Sequence, residues 1–170
     1  QIRAVLEDMP PAAAKTGALG NRGLVEAVAA AASEFEFPLV VDPVMISKHG
    51  APLIAEEART ALIEKLLPRA YLITPNLAEA EALTGSPVRD REGMRHAAQV
   101  LTQMGARAAL VKGGHLEGEA VDVLYHEGAW CEFRAPRIDT RHTHGTGCTY
   151  SAAITAELAR GTVLPGAVRH

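Results

Sequence analysis

The sequence lacks most of the features that mark membrane, secreted and nucleic-acid-binding proteins. Only two of its 170 residues are cysteine, and only 4% are aromatic. No apolar run approaches the length of a membrane span, and the two cysteines form no disulfide framework. The 17 basic residues face 20 acidic ones and include no basic cluster interleaved with aromatics. We therefore expect no membrane and no nucleic acid as partners, and a cytoplasmic location.

Two further absences narrow the chemistry. The seven histidines are scattered without the spacing of zinc ligands, so we expect no structural metal. The phosphate loop G-x-x-x-x-G-K-[ST] is missing as well. A phosphate site in this chain would have to be built in another way.

Helical and strand-like segments alternate along the chain, and this pattern predicts an α/β fold with a largely parallel sheet covered by helices. The predicted helices are 21–36, 56–67, 76–83, 90–105 and one that follows residue 147; the predicted strands are 38–42, 71–74 and 108–111, with a hairpin of 121–125 and 130–134. Polar residues follow three of these strands. Ligands collect beyond the carboxyl ends of parallel strands, so we expect four segments to share one cleft.

Both ends of the chain look interrupted. The first residues, 1–7, lack an initiator Met and resemble the middle of a helix, and a turn at 164–166 is placed to open another helix just before the last residue. We expect a single domain, 1–170, that is truncated at both ends.

A late glycine turn is the strongest chemical signal. Gly145, Thr146, Gly147 and Cys148 stand before an Ala-rich helix, whose first N–H groups and dipole favour an anion. Glycine lets the backbone approach phosphate oxygens. The same field favours a thiolate at Cys148, which places a proton acceptor or nucleophile beside a phosphate site. The alternative is a plain helix start with an inert cysteine.

The polar residues at the strand ends each have two interpretations. Glu79 could hold Mg²⁺ while Asn76 orients a phosphate, but a helix capping box explains the same two residue types. Asp42 could face a metal or substrate with Val44 as an apolar wall, or form an ordinary Asp-Pro turn. Lys112 could contact a nucleotide phosphate or simply be solvated.

Two histidines in the glycine-turn region invite a catalytic interpretation. His142 and His144 fit neither the order of a catalytic triad nor a metal-ligand spacing, so we treat them as loop residues. Cys131 alternates with strand residues and is interpreted as structural.

Four motifs, taken together, resemble in order and spacing the hydroxymethylpyrimidine/phosphomethylpyrimidine kinases of thiamine biosynthesis, which belong to the ribokinase-like superfamily. The motifs are 41–45 (VDPVM), 74–81 (TPNLAEAE), 111–115 (VKGGH) and 144–149 (HGTGCT). A fifth segment, 14–19 (AKTGAL), is similar to that family's Lys-x-Gly-Met-Leu segment, with Ala18 where Met is usual.

The resemblance implies a mostly parallel central sheet with helices on both faces, and a phosphotransferase that uses ATP and Mg²⁺. The substrate would be 4-amino-5-hydroxymethyl-2-methylpyrimidine and then its monophosphate. Cys148 would accept the hydroxyl proton, while the N–H groups of 145–148 stabilise the moving phosphoryl group. The residues implied for ATP are Thr74, Asn76, Glu79 and Lys112; for Mg²⁺, Asp42 and Glu79; for the pyrimidine, Ala18, Asp42 and Val44.

The resemblance also implies a homodimer, and it places an N-terminal strand and a glycine-rich substrate segment before the residue that matches Gln1. We therefore expect the chain alone to be poorly active. Three alternatives stay open: a pyridoxal kinase with the same glycine turn, a non-catalytic nucleotide-binding module, and a thiol-dependent hydrolase that uses Cys148 with His142 or His144.

Overall fold

Six strands form one sheet within the part of the chain that the computed structural model describes, which is residues 1–45, 53–114, 120–136 and 145–169. The strands are β1 (Ala14–Thr16), β2 (Leu39–Val41), β3 (Leu72–Ile73), β4 (Ala108–Lys112), β5 (Ala120–His126) and β6 (Ala129–Ala135). They lie side by side in chain order. Strands β1 to β4 are parallel to one another, β5 is antiparallel to β4, and β6 is antiparallel to β5. This confirms the predicted mostly parallel sheet.

Seven α-helices accompany the strands in the described residues. They are α1 (Ile2–Asp8), α2 (Arg22–Ala32), α3 (Glu56–Ala61), α4 (Leu77–Thr84), α5 (Arg91–Gln103), α6 (Thr146–Ala159) and α7 (Leu164–Arg169). The predicted start signals are confirmed, since Asn21 Oδ1 accepts a hydrogen bond from the N–H of Leu24 and Asp90 Oδ1 accepts one from the N–H of Gly93. Gly85 ends α4 in the left-handed conformation. No helix described here is long and apolar enough to cross a membrane.

Three elements depart from the sequence prediction. The predicted helix 21–36 is shorter in the structure, because α2 ends at Ala32. The predicted helix 56–67 is α-helical only to Ala61 and continues as a π-helical turn, Leu62–Leu66, and a 3₁₀ turn, Leu67–Arg69. Pro68 has no N–H to donate to the preceding turn, so regular α-helical bonding stops before it. Strand β1 was not predicted, because three residues are too few to show an alternating pattern.

The sheet separates two hydrophobic clusters of unequal size. The larger cluster packs α2, α3, α4 and α5 against strand residues such as Val41 and Ile73. The smaller cluster packs α6 and α7 against the neighbouring strand residues, such as Val40 and Leu72, which point the other way. Strands buried on both faces explain the continuous apolar runs in the sequence, and they confirm helices on both faces of the sheet.

Candidate functional site

Asp42 is the residue at which the predicted segments meet. It follows β2, and its side chain is only 2% exposed. Its Oδ1 atom lies 3.3 Å from Nζ of Lys112, at the end of β4, and accepts a hydrogen bond of 3.3 Å from the hydroxyl of Thr74, beyond β3. The convergence of the strand ends, predicted from the fold pattern, is confirmed for these three residues.

The second oxygen of Asp42 contacts two residues that the sequence analysis did not select. The hydroxyl of Ser151 in α6 donates to Oδ2 at 2.9 Å, and Nζ of Lys15 in β1 lies 3.8 Å from the same atom. Lys15 belongs to the segment that resembles the family motif, so that match could have identified it. Ser151 stands one helical turn after Cys148, and this spacing was the available signal.

Strand register explains why these side chains share one edge of the sheet. Lys15 pairs with Val40 in β1 and β2, which brings the ends of both strands to the same level. An isolated parallel bridge joins Asn76 to Lys112, whose N–H donates to the carbonyl of Pro75 at 2.8 Å. The polar residues therefore lie at the carboxyl edge of the parallel strands, where α/β sheets bind ligands.

Two ammonium groups converge on one buried carboxylate. Lys15 and Lys112, with side chains 24% and 14% exposed, both contact Asp42, and Lys112 also acts electrostatically on Glu79 and Asp122. Partial burial limits the screening of these charges by water. The edge of the sheet is thus suited to an anionic ligand.

The glycine turn lies directly beside the charge cluster that Lys15, Asp42 and Lys112 form. Gly145 precedes α6 in the left-handed conformation, with φ of 80°. A Cβ on Gly147 would lie 3.1 Å from Nζ of Lys112, a tight contact, so glycine at this position lets the ammonium come close to the helix start. The first N–H groups of an α-helix have no acceptor within the helix. The N-terminus of α6 and Lys112 can therefore act on the same anion.

Cys148 is exposed at the start of α6, where its neighbours shift the pKa of its thiol. Partial burial of the thiol raises its pKa, and the negative charge of Asp42 raises it further, while Lys15 and Lys112 lower it by less. A hydrogen bond to Asp42 also favours the protonated thiol. Burial and the neighbouring carboxylate therefore favour the protonated thiol, against the field of the helix start, which favours the thiolate.

Asn76 and Glu79 form the capping box that was one of their two interpretations. Asn76 Oδ1 accepts the N–H of Glu79 at 2.9 Å, and Glu79 Oε2 accepts the N–H of Asn76 at 2.8 Å. Glu79 is 3% exposed, and burial raises its pKa, opposed by the N–H of Asn76 and the charge of Lys112. The cap does not exclude a ligand role, because this carboxylate also lies within the electrostatic reach of Lys112 and Asp42.

The remaining predicted residues occupy the same edge or lie outside the described residues. Val44 is half-buried, and its N–H donates to the carbonyl of Asp42 at 2.9 Å. Ala18 is exposed, two residues beyond the end of β1. His142 and His144 lie outside the described residues. Among the residues that are described, no group of three or more His, Cys, Asp or Glu could hold a metal.

A cavity of about 510 Å³ opens among β5, β6, α6 and α7. Its lining includes Asp122, Tyr150 and Val168. Asp122 is the residue paired with Lys112 across the β4–β5 ladder, so the cavity adjoins the charge cluster. A cleft of this size is suited to a small organic group.

Comparison with known proteins agrees with this geometry. The family described as phosphomethylpyrimidine kinase matches residues 1–170. A hydroxymethylpyrimidine/phosphomethylpyrimidine kinase of Streptomyces coelicolor is 47% identical over 169 residues, which cover 99% of this chain and 63% of the relative. The chain thus spans less than two thirds of that relative's length.

Solved structures show the same fold. The ADP complex of Bacillus subtilis pyridoxal kinase superposes with a TM-score of 0.91 at 37% identity, over 98% of this chain and 64% of that one. The phosphomethylpyrimidine kinase of Clostridium difficile superposes with a TM-score of 0.86 at 39% identity, over 98% of this chain and 68% of that one. The predicted ribokinase-like fold is confirmed.

Proposed function

The chain belongs to the phosphomethylpyrimidine kinase family, and on that premise we propose that it carries the phosphoryl-transfer centre of an ATP-dependent kinase. The substrates proposed are hydroxymethylpyrimidine and its monophosphate, as in the name of the Streptomyces coelicolor relative. One observation carries the proposal: Lys15 and Lys112 converge on Asp42 beside a glycine turn that opens a helix. Fixed positive charge and helix N–H groups are what a transferring phosphoryl group requires.

ATP would bind with its phosphates between Lys112 and the glycine turn. The 3.1 Å approach of Nζ to the Cβ position of Gly147 supports this placement, since one anion can reach both groups. The base and sugar would occupy the cavity beside Asp122 and Tyr150, which adjoins the same lysine. The ADP in the Bacillus subtilis pyridoxal kinase structure supports nucleotide binding by this fold.

Glu79 is the better of the two predicted Mg²⁺ ligands. Each oxygen of Asp42 already has two polar partners, so a cation there would have to displace a lysine. Glu79 is a buried carboxylate at the same edge, and Mg²⁺ in kinases takes one or two carboxylates, with waters and phosphate oxygens completing its shell. When bound, Mg²⁺ neutralises charge on the phosphates.

Cys148 would take the proton of the substrate hydroxyl at its Sγ atom. Its raised pKa means that the thiolate is a minor form at neutral pH, and a loose phosphoryl-transfer transition state tolerates a weakly populated base. Asp42 would hold the sulfur in place through their hydrogen bond. Val44 and Ala18, beyond the ends of β2 and β1, would face the pyrimidine.

The proposed assembly rests on the family resemblance, and the proposed location rests on the cysteine usage of the sequence. We propose a homodimer in the cytoplasm. Light scattering over a range of protein concentrations tests the dimer, and a single monomeric mass at all concentrations would overturn it.

ADP release tests the proposed reaction. The chain is assayed with Mg²⁺, ATP and hydroxymethylpyrimidine phosphate, both alone and as a chimera in which it replaces the matching segment of the Streptomyces coelicolor relative. The chimera supplies the part of that relative that this chain does not match. Turnover that collapses in Cys148→Ala supports both the reaction and the base. Turnover retained in Cys148→Ala keeps the kinase and rejects Cys148 as the base.

Pyridoxal is the second candidate substrate. It is favoured by the TM-score of 0.91 to Bacillus subtilis pyridoxal kinase, although the identity to that chain is 37%. Comparing ADP release with pyridoxal and with the pyrimidine separates the two. ATP binding without turnover of either substrate in the chimera would favour the non-catalytic nucleotide-binding module. Covalent labelling of Cys148 by an acyl substrate without ATP would favour the hydrolase.

A further inference from the structure

Asp122 is a partly buried carboxylate that lines the cavity proposed for the nucleotide but has no assigned part in phosphoryl transfer. It lies in β5 opposite Lys112, in the last residue pair of the β4–β5 ladder. Burial raises the pKa of Asp122, against the opposing effects of the Gly113 N–H and of Lys112. A desolvated carboxylate at this position costs folding energy that an apolar strand residue would not cost. Its presence therefore calls for a role other than stability.

The carboxylate completes the backbone hydrogen bonding where the ladder stops. Oδ1 of Asp122 accepts the N–H of Gly113 at 2.9 Å, one residue beyond the pair with Lys112. Gly113 is packed so closely that a Cβ there would meet the carbonyl oxygen of Val121 and the end of Met94. The segment after β4 is thus held by one charge-assisted hydrogen bond and by close packing on both sides.

Asp122 also reaches the helix that carries the glycine turn. The hydroxyl of Tyr150, in the second turn of α6, donates to the carbonyl of Val168 at 2.9 Å, and Tyr150 lines the same cavity as Asp122. Asp122 therefore holds the β4 end through Gly113 and acts on α6 through its charge beside Tyr150. The relative position of β4 and α6 determines whether the Lys112 ammonium lies beside Gly147.

We propose that Asp122 is a positioning residue that sets the Lys112 ammonium against Asp42 and the glycine turn, and so controls the affinity for the phosphates of ATP. It acts through the Gly113 backbone and touches no reacting atom. The inference rests on the proposed function, because it assigns Lys112 to the nucleotide.

The test combines nucleotide affinity with a structural readout that needs no nucleotide. Affinity for Mg-ATP is measured by calorimetry on the full chain and on the variants Asp122→Ala, Asp122→Asn, Lys112→Met and Asp122→Ala/Lys112→Met. We expect Asp122→Ala to weaken ATP binding about tenfold, as expected for the loss of one charge-assisted hydrogen bond. The double variant should bind no more weakly than Lys112→Met alone, because Asp122 acts through that lysine. Additive losses would overturn the proposal.

The backbone amide resonance of Gly147 provides the second readout, since the Lys112 ammonium lies beside it. Asp122→Ala should shift this resonance in the direction that Lys112→Met does, whereas Asp122→Asn, which keeps an acceptor for Gly113, should shift it less. Val123→Ala is the matched control: it removes buried volume from the next residue of β5 and should lower the melting temperature without moving either readout.

The two readouts separate the two proposals. If the wild-type chain binds no ATP, the proposed function fails, and the Gly147 resonance still decides whether Asp122 positions Lys112. An unchanged Gly147 resonance in both Asp122 variants would overturn the inference even if ATP binds. Should Asp122→Ala fail to fold, the Gly147 resonance of Asp122→Asn decides alone. A small shift in the direction of Lys112→Met supports the inference, and no shift overturns it.

Discussion

Lys112 Nζ lies 3.3 Å from Oδ1 of Asp42, across a sequence separation of 70 residues. The pair joins the ends of β2 and β4, and β3 lies between them. Its carboxylate side is nearly inaccessible to water, while its ammonium side faces the glycine turn. Asp42 thus fixes a cation where an anionic substrate would arrive.

Asp42→Asn should impair both stability and activity. The neutral amide removes the negative charge that Lys15 and Lys112 both contact, at a cost of about 2 kcal/mol. We expect the rate of ADP release to fall about 100-fold, because the lysines are no longer held. Urea unfolding and ADP release measure the two effects. Glu26→Gln is the control: it breaks the surface pairs with Arg22 and Lys65, and it should change stability less and leave the rate unaltered.

Cys148 should give the reaction a characteristic pH dependence. Its pKa is raised, so the thiolate that accepts a proton becomes more populated as the pH rises towards that pKa. We expect kcat to increase about tenfold per pH unit from pH 7 to about pH 9. Cys148→Ala should remove this slope as well as lower the rate. A flat profile for the wild-type chain would show that the thiol is not the base.

Glu79→Gln separates the helix-capping role of Glu79 from its proposed role in binding Mg²⁺. Glutamine also completes a capping box, so the start of α4 should stay intact. Because burial raises the pKa of Glu79, the folded state binds its proton more tightly than the unfolded state does, and stability falls as the pH rises through the folded pKa. The variant should therefore be at least as stable as the wild-type chain at pH 7. At pH 4 its free energy of unfolding should be lower, relative to that of the wild-type chain, than at pH 7.

Activity gives the other half of the Glu79 test. Losing the charge should raise the Mg²⁺ concentration needed for half-maximal ADP release, if the carboxylate holds the cation. Urea unfolding at both pH values and a Mg²⁺ titration supply the measurements. A stable variant with an unchanged Mg²⁺ requirement would leave Glu79 as a cap alone.

Gly147→Ala and Gly145→Ala should affect stability with opposite signs. Gly147 lies within α6, where alanine favours the helix by up to about 1 kcal/mol. Gly145 has φ of 80°, where alanine costs about 1 kcal/mol. Both substitutions should weaken ATP binding, Gly147→Ala because its Cβ displaces the Lys112 ammonium. Calorimetry and thermal unfolding check the pair, and unchanged ATP affinity in Gly147→Ala would contradict the phosphate placement.

Thr16→Val should stabilise the chain. The Thr16 hydroxyl is buried at the end of β1 and finds no hydrogen-bond partner among the described residues. Valine has nearly the same shape, so removing the unpaired oxygen should gain about 1 kcal/mol. Thr74→Val is the matched control with the opposite sign, because the Thr74 hydroxyl donates to Asp42. Urea midpoints of the two variants measure the difference.

Much of the fold could be predicted because its signals are local. The caps at Asn21, Asn76 and Asp90, and the glycine that ends α4, each use residues within a few positions of the helix end. The hairpin turn at Glu127 and Gly128, both with positive φ, is equally local. Strand β1 and the π-helical turn were not predictable in the same way, since each depends on its neighbours in three dimensions.

The site was predictable in its members but not in its electrostatics. Asp42, Thr74 and Lys112 follow from the rule that ligands gather at strand ends. The spacing of Ser151 from Cys148 places it one helical turn further on, but its contact with Asp42 depends on how α6 docks on the sheet. The ionisation of Cys148 could not be predicted from the sequence, because its pKa is raised by burial and by Asp42, a carboxylate at the end of a strand far away in the chain.

The unequal packing on the two faces of the sheet has a consequence for motion. The strands that lead to Asp42, Thr74 and Lys112 pack into both hydrophobic clusters, whereas α6 packs into the smaller one. Helices α6 and α7, which pack into the smaller cluster, can separate from the sheet at a lower free energy than global unfolding requires. The amide hydrogens of α6 should therefore exchange before those of α5 and β4. An anion that bridges Lys112 and the start of α6 would slow this exchange, because it would link α6 to the strands of the sheet.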